Sequence, residues 1–228
     1  MNIQQKLCWL IHMGIINFCA ETPYHATQSS TASTETPASE QASIQAISAT
    51  TLTELNNQKS SFELSALKKM AAHTLLGQGN LHPQLMCIFE TPTADSDRSG
   101  NIFAGQQGEM FQKMMAAIQL DIAKDVYITY LSPWRTPGNR PLTEAEQALF
   151  LPFLQREIEL VQPKKILLFG SGISAPLLNT ESLSKARNCW HNFRNIPIRV
   201  TLPLSSLKTT ALRRQAWQDL QEVMKKEI

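Results

Sequence analysis

The residues best suited to do chemistry lie where apolar runs end. Glu90 closes the run LMCIF with a carboxylate, and Phe103 follows within GNIFAGQQG. A carboxylate at a strand end can orient or activate water, or stabilise a cationic centre as a bond breaks. An aromatic ring near Gly105 and Gly108 offers a stacking platform that backbone can approach closely. A second segment reads VYITYLSPWRTPGNRPLT. Pro133, Pro137 and Pro141 each fix φ there, and Gly138 and Asn139 tolerate the turn between them. Arg135 and Arg140 therefore sit on a stiff basic loop at the carboxyl end of a strand, where open α/β sheets place ligands. A rigid surface loop with no ligand is the plainer reading of that loop taken alone. In ILLFGSG, Gly170 and Ser171 can approach a phosphate, although a simple strand-to-helix turn is the commoner meaning. The segment VTLPLSSLK places Leu202, Leu204, Leu207 and Lys208 together after a further strand.

Strands are predicted over 84–90, 126–131, 165–170 and 198–202, and helices over 108–120, 143–161, 173–178 and 209–226. Thr143 with Glu146 three residues later forms a capping box for the second helix. Its apolar positions Leu149, Phe150, Phe153, Leu154, Ile158 and Val161 make one buried face. Strands alternating with helices imply an α/β fold with three layers, α/β/α, around a four-stranded, mainly parallel sheet.

The length of 228 residues allows one such domain plus an extension. Residues 61–228 carry the globular pattern. Residues 21–60 are rich in Ser, Thr, Ala and Gln, which favours a flexible linker. Residues 1–20 include LCWLIHMGIINFCA after Lys6, which reads either as a signal peptide or as an amphipathic helix closed near Gly14. His12 and Asn17 interrupt the apolar run and Phe18 is large for a cleavage site, which favours the helix. No apolar run reaches the ~20 residues of a membrane span.

The formal charge of +2 is uninformative, but its distribution is not. Between Ser182 and Gln218 there is no Asp or Glu, while Lys185, Arg187, Arg194, Arg199, Lys208, Arg213 and Arg214 fall there. Such a window fits a phosphate-facing surface, or a basic patch without a partner. Cys8, Cys19, Cys87 and Cys189 form no Cys-x-x-Cys pair, so neither a metal nor another cofactor is expected. Four thiols without a compact scaffold suggest a reducing compartment, the cytoplasm. The chain lacks both a GxGxxG fingerprint and a GK[ST] loop, which weighs against a nucleotide-binding enzyme.

Taken together, these segments resemble the bacterial family 4 branch of the uracil-DNA glycosylase superfamily, over about residues 64–223. The family has GEAPG, an acidic pair and G-x-P-F-x-G-x-x-G where this chain has FETPTADSD and GNIFAGQQG; Glu90, Pro92, Asp97, Gly100, Phe103, Gly105 and Gly108 hold their places. The family form YITN…RPPGNR-P matches the second segment, and its relatives commonly begin with a helix and a linker like those predicted here. The resemblance implies a DNA repair protein, a monomer, that binds single- or double-stranded DNA and flips a base into a pocket. It gives Glu90 the catalytic role and makes Phe103, Tyr130 and Leu202 pocket positions. Arg135, Arg140, Ser171, Leu204 and Lys208 would meet DNA, with Leu204 and Leu207 as apolar wedges.

Three departures qualify it. Tyr130 replaces the Asn whose amide reads uracil, and a phenol has one hydroxyl where the amide has a donor and an acceptor. Leu202 replaces a His that stabilises the leaving base, and loss of one such donor costs about 3 kcal/mol. Trp134 and Phe150 stand where two cysteine ligands of the family's iron–sulfur cluster would fall. Weak or altered uracil activity is therefore expected; the alternative is a degenerate DNA-binding module on the same fold.

Overall fold

The structure, a computed structural model, describes residues 42, 46, 48–180 and 182–225. These belong to a compact unit spanning residues 36–228. The helix predicted within 1–20, and most of the linker predicted over 21–60, lie outside the described residues.

Six strands form one sheet in the order β1-β3-β2-β4-β6-β5. They are β1 (Gln78–Gly79), β2 (Leu85–Phe89), β3 (Val126–Tyr130), β4 (Lys165–Phe169), β5 (His191–Phe193) and β6 (Ile196–Thr201). The central strands β3, β2, β4 and β6 run parallel, with Cys87 opposite both Ile128 and Leu167. These are the strands predicted from sequence. The sheet has six strands rather than four because β1 and β5 add antiparallel edges. β1 is too short to show periodicity. β5 turns into β6 through Arg194 and Asn195, both at positive φ (48° and 70°). That is the geometry of a primed hairpin turn, reached without the usual glycine.

Alternation along each strand divides the core. Met86, Ile88, Ile166 and Leu168 face one apolar cluster, which includes Phe153, Leu154 and Ile158 of α5 (Glu144–Val161). Leu85, Cys87, Leu167 and Phe169 face the other, with Phe111 and Met115 of α3 (Gly105–Ala117) and Leu220 and Val223 of α8 (Thr210–Lys225). Helices thus cover both faces of the sheet. The remaining helical segments are α1 (Leu52–Ser61), α2 (Ala94–Ser99), the single turn α4 (Ile122–Asp125), α6 (Ser171–Leu178) and α7 (Leu183–Arg187).

The linker prediction needs correction at its end, because residues from Leu52 onward are helical. Thr51 accepts the Glu54 amide while Glu54 reaches back to the Thr51 amide, a complete capping box. Leu55 and Lys59 are buried. Lys59 pairs with Glu157 of α5, which also accepts from Tyr127 Oη at 2.8 Å and Thr129 Oγ1 at 3.0 Å. Composition suggested a solvated chain, but tertiary burial of one leucine and one paired lysine holds this stretch as a helix. Among the described residues no helix is long and apolar enough to cross a membrane.

Candidate active site

The carboxyl ends of β2 and β3 open into a cleft on the face covered by α3. It encloses about 360 Å³, its mouth included, and Phe89, Ile102, Phe103, Phe111, Tyr130 and Leu204 form its apolar walls. Thr91, Thr93, Gln107 and Gly108 complete the lining. The floor is aromatic: Phe89 stacks on Phe169 with centroids 4.4 Å apart, and Phe111 meets Phe89 edge-on at 5.5 Å. Phe103 lies parallel to Phe111 at 6.2 Å and remains half-buried, leaving ring surface towards the cleft.

Local backbone explains how Phe103 gets there. Thr93 caps α2, Gly100 ends it in the left-handed region, and Asn101 Oδ1 accepts the Phe103 amide at 2.9 Å. Gly108 abuts the Phe103 carbonyl so closely that a β-carbon there would lie 2.0 Å from its oxygen. Only glycine lets α3 pass that near.

Tyr130 lies at the end of β3 with its ring 5.9 Å from Phe89. It is 5% exposed, and burial pushes its phenol up to about 12, against a smaller opposing effect of its hydrogen bond with Ser96. The phenol is therefore a neutral hydroxyl held by α2. Gln107, which sequence reasoning did not single out, contributes a side-chain amide with no hydrogen bond among the described residues. Its only sequence signal was a polar residue between two glycines of the aromatic motif.

Glu90 is not in the lining, although its neighbours Phe89 and Thr91 are. Its Oε1 accepts the Leu142 amide at 2.8 Å, and its carboxylate fills the space where a Gly172 side chain would be. Gly172 lies in the first turn of α6, so the anion sits against the positive end of that helix. Oε2 makes no hydrogen bond among the described residues.

Leu202 is also absent from the lining. It packs with Leu207 and Ala216 in a small apolar cluster under α8, because an aliphatic chain there gains more from burial than from facing the cleft. Leu204, expected at the DNA surface, is half-buried and forms a cleft wall, and Leu207 is 3% exposed. Ser171 and Lys208 are exposed.

The basic residues divide sharply. Arg140 makes a bidentate pair with Glu146, both oxygens at 2.7 Å, whereas among the described residues Arg135 reaches only Asn139 Oδ1 at 2.8 Å. In the acid-free window, Arg187 and Arg199 turn inward to Asp219, at 2.8 and 3.5 Å. Arg194 pairs with Glu159 at 2.5 Å. The window lacks carboxylates in sequence, but the fold supplies them from α5 and α8.

A parallel sheet with a stacking cleft at its strand ends is consistent with the superfamily that the motifs resemble. The family model described as Uracil DNA glycosylase superfamily matches residues 76–221. The chain belongs to the uracil DNA glycosylase superfamily. It is 26% identical to the type-4 uracil-DNA glycosylase of Saccharolobus solfataricus over 167 residues, covering 69% of this chain and 77% of that protein. For the type-4 uracil-DNA glycosylase of Pyrobaculum aerophilum the identity is 27% over 165 residues, covering 68% and 83%. That of Archaeoglobus fulgidus is 33% identical over 104 residues, 46% of this chain and 52% of its own.

In this superfamily member the two positions that the resemblance sets against cysteine ligands are filled with rings. Trp134 meets Phe150 edge-on at 5.8 Å, and Phe62 packs on Phe153 at 5.2 Å beside them. Trp134 and Phe150 offer no thiolate, and Cys87 is buried in β2 on the opposite face of the sheet. The residues described here do not fit an iron–sulfur cluster. Among them no group of three or more His, Cys, Asp or Glu is gathered to hold a metal ion.

Proposed function

We propose that this protein is a DNA repair glycosylase that acts as a monomer in the cytoplasm, flips a base from DNA into the aromatic cleft and releases uracil slowly. The observation that carries this reading is the cleft itself: a half-buried Phe103 ring faces a free Gln107 amide at the carboxyl ends of parallel strands. An extruded base would stack on Phe103 and present its hydrogen-bonding edge to Gln107, whose amide has the paired donor and acceptor that Tyr130 lacks. Glu90 Oε2 would orient a water towards the sugar. The C1′–N bond breaks with its electron pair leaving on the base. The water oxygen bonds to C1′ and its proton passes to the carboxylate or solvent.

Slow release follows from Leu202, which offers the departing base no donor, and from Glu90, which already binds the Leu142 amide. That second feature also favours the alternative, a DNA-binding module without catalysis. The test is a glycosylase assay on single strands and duplexes holding uracil and other damaged bases, with alkali cleavage of the abasic product. Release of any base supports the enzyme. DNA binding without release from the whole panel supports the module.

A further inference from the structure

The face of α3 next to the cleft forms a second, unassigned groove against α8. Met110, Met114, Leu207 and Leu220 make its floor, Trp217 its wall, and Lys113 and Arg213 its rim. It encloses about 510 Å³, its mouth included. Trp217 is 38% exposed, a large ring left open to solvent.

Charge sets this rim apart from several of the other basic residues. Arg140, Arg187, Arg194 and Arg199 are paired with carboxylates. Among the described residues, Lys113, Lys208, Arg213 and Arg214 have no carboxylate partner, and all are exposed. Of these, Lys113 and Arg213 line the groove, Arg213 donating to the Leu207 carbonyl at 3.0 Å, and an exposed aromatic ring over an apolar floor with cations at its edge is how proteins seat bases of a single strand.

The groove adjoins the base cleft. Gln107 and Phe111 line the cleft, and Met110 and Met114 line the groove from the neighbouring side of the same helix. Leu204 belongs to the first and Leu207 to the second, joined by the turn Leu204–Ser206. Gln107 to Met110 and Phe111 to Met114 are each about 4.5 Å along the helix axis. A base held in the cleft is extruded from the stack, so a base in the adjoining groove is seated apart from it.

The geometry points to the Trp217 groove as a second nucleobase seat, which binds a flanking base of single-stranded DNA beside the base held in the cleft. This inference rests on the DNA-binding reading above, and gives that site a single-strand preference.

The experiment measures binding of the full chain to fluorescein-labelled oligothymidylate of about 16 nucleotides, and to a duplex of the same length, by anisotropy. Trp217→Ala is expected to weaken single-strand binding roughly tenfold or more and duplex binding less than about twofold, with Trp217→Phe close to wild type. Lys113→Gln and Arg213→Gln, both at exposed positions, should each lower the single-strand salt slope by about 0.7. They test the rim even if Trp217→Ala folds poorly. Wild-type single-strand affinity in Trp217→Ala, or unchanged slopes in both rim variants, overturns the second seat. If Phe103→Ala still weakens binding in that case, the DNA-binding reading stands without it. Failure of the wild type to bind either DNA overturns both. An apolar protein partner on the groove would appear as loss of that partner, not of DNA, in Trp217→Ala, and would likewise overturn the proposal.

Discussion

Glu90 Oε1 accepts the Leu142 amide at 2.8 Å, so one carboxylate ties the end of β2 to the last turn of the proline-rich loop. Its position against Gly172 fixes it from a third element, α6. Glu90→Gln retains an oxygen for the amide but cannot take a proton from water. It should leave Tm nearly unchanged and lower base release on the order of 100-fold. Gly172→Ala should act on the same group by pushing the carboxylate aside, since the new methyl would lie 2.2 Å from Cδ. Melting curves and single-turnover release would be compared for both. Undiminished release in Glu90→Gln would remove the carboxylate from the mechanism.

Arg140 and Glu146 make a related point about DNA. Chiefly because of Arg140, Glu146 is held down to about 2, and it also closes the capping box of α5. A lowered carboxylate stabilises the fold above its unfolded value near 4.5, and that contribution is lost as pH falls from there through about 2. The same pairing occupies the guanidinium, so Arg140→Ala should weaken DNA binding less than Arg135→Ala. Glu146→Gln, which preserves the cap, should free Arg140 and steepen the duplex salt slope by about one unit. Salt titrations of the three variants check this. Equal losses for both arginines would show that the pair opens on DNA.

Much of the architecture was readable because it rests on short-range pattern. The four central strands, the α5 capping box and the glycines around Phe103 all declare themselves within a few residues of chain. What escaped depends on distant partners. Leu52–Ser61 looks like linker until Lys59 finds Glu157, and Arg187 looks free until Asp219 approaches from α8. The same limit applies at the cleft. The resemblance made Phe103 and Tyr130 pocket positions and both line the cleft, but only the folded chain turns Leu202 into the α8 cluster and leaves Gln107 facing the cleft.

The Lys59–Glu157 pair tests whether α1 belongs to the domain. Glu157 has no exposed surface and also holds Tyr127 and Thr129. Lys59→Met would leave that carboxylate buried without its counter-charge, a loss of about 3–5 kcal/mol. Lys59→Met with Glu157→Gln should recover much of it, because the replacement amide needs no counter-charge. Urea unfolding of the single and double variants measures both. A cost below about 1 kcal/mol for the single change would mean that α1 is only loosely attached.

On the reading proposed above, Gln107 supplies the amide that Tyr130 lacks, so variants at the two positions should separate shape from recognition. Tyr130→Phe keeps the ring and removes the hydroxyl bonded to Ser96, costing about 1 kcal/mol near neutral pH. A phenol raised to about 12 stabilises the fold below its unfolded value near 10, and this contribution disappears as pH climbs through 12. The stability gap between wild type and Tyr130→Phe should therefore narrow over that alkaline range. Gln107→Leu should leave stability alone, since the amide has no partner to lose among the described residues. Its effect should be on choice: affinity for single strands holding one uracil should fall towards that for the thymine equivalent. Tyr130→Asn should work in the opposite direction by widening the cleft and returning an amide to the strand end. Leu202→His adds little to it, because that side chain packs under α8 and an imidazole there would be buried among leucines. Paired titrations with uracil, thymine and abasic oligonucleotides decide the matter. If Gln107→Leu discriminates uracil from thymine as well as the wild type does, the amide does not read the base.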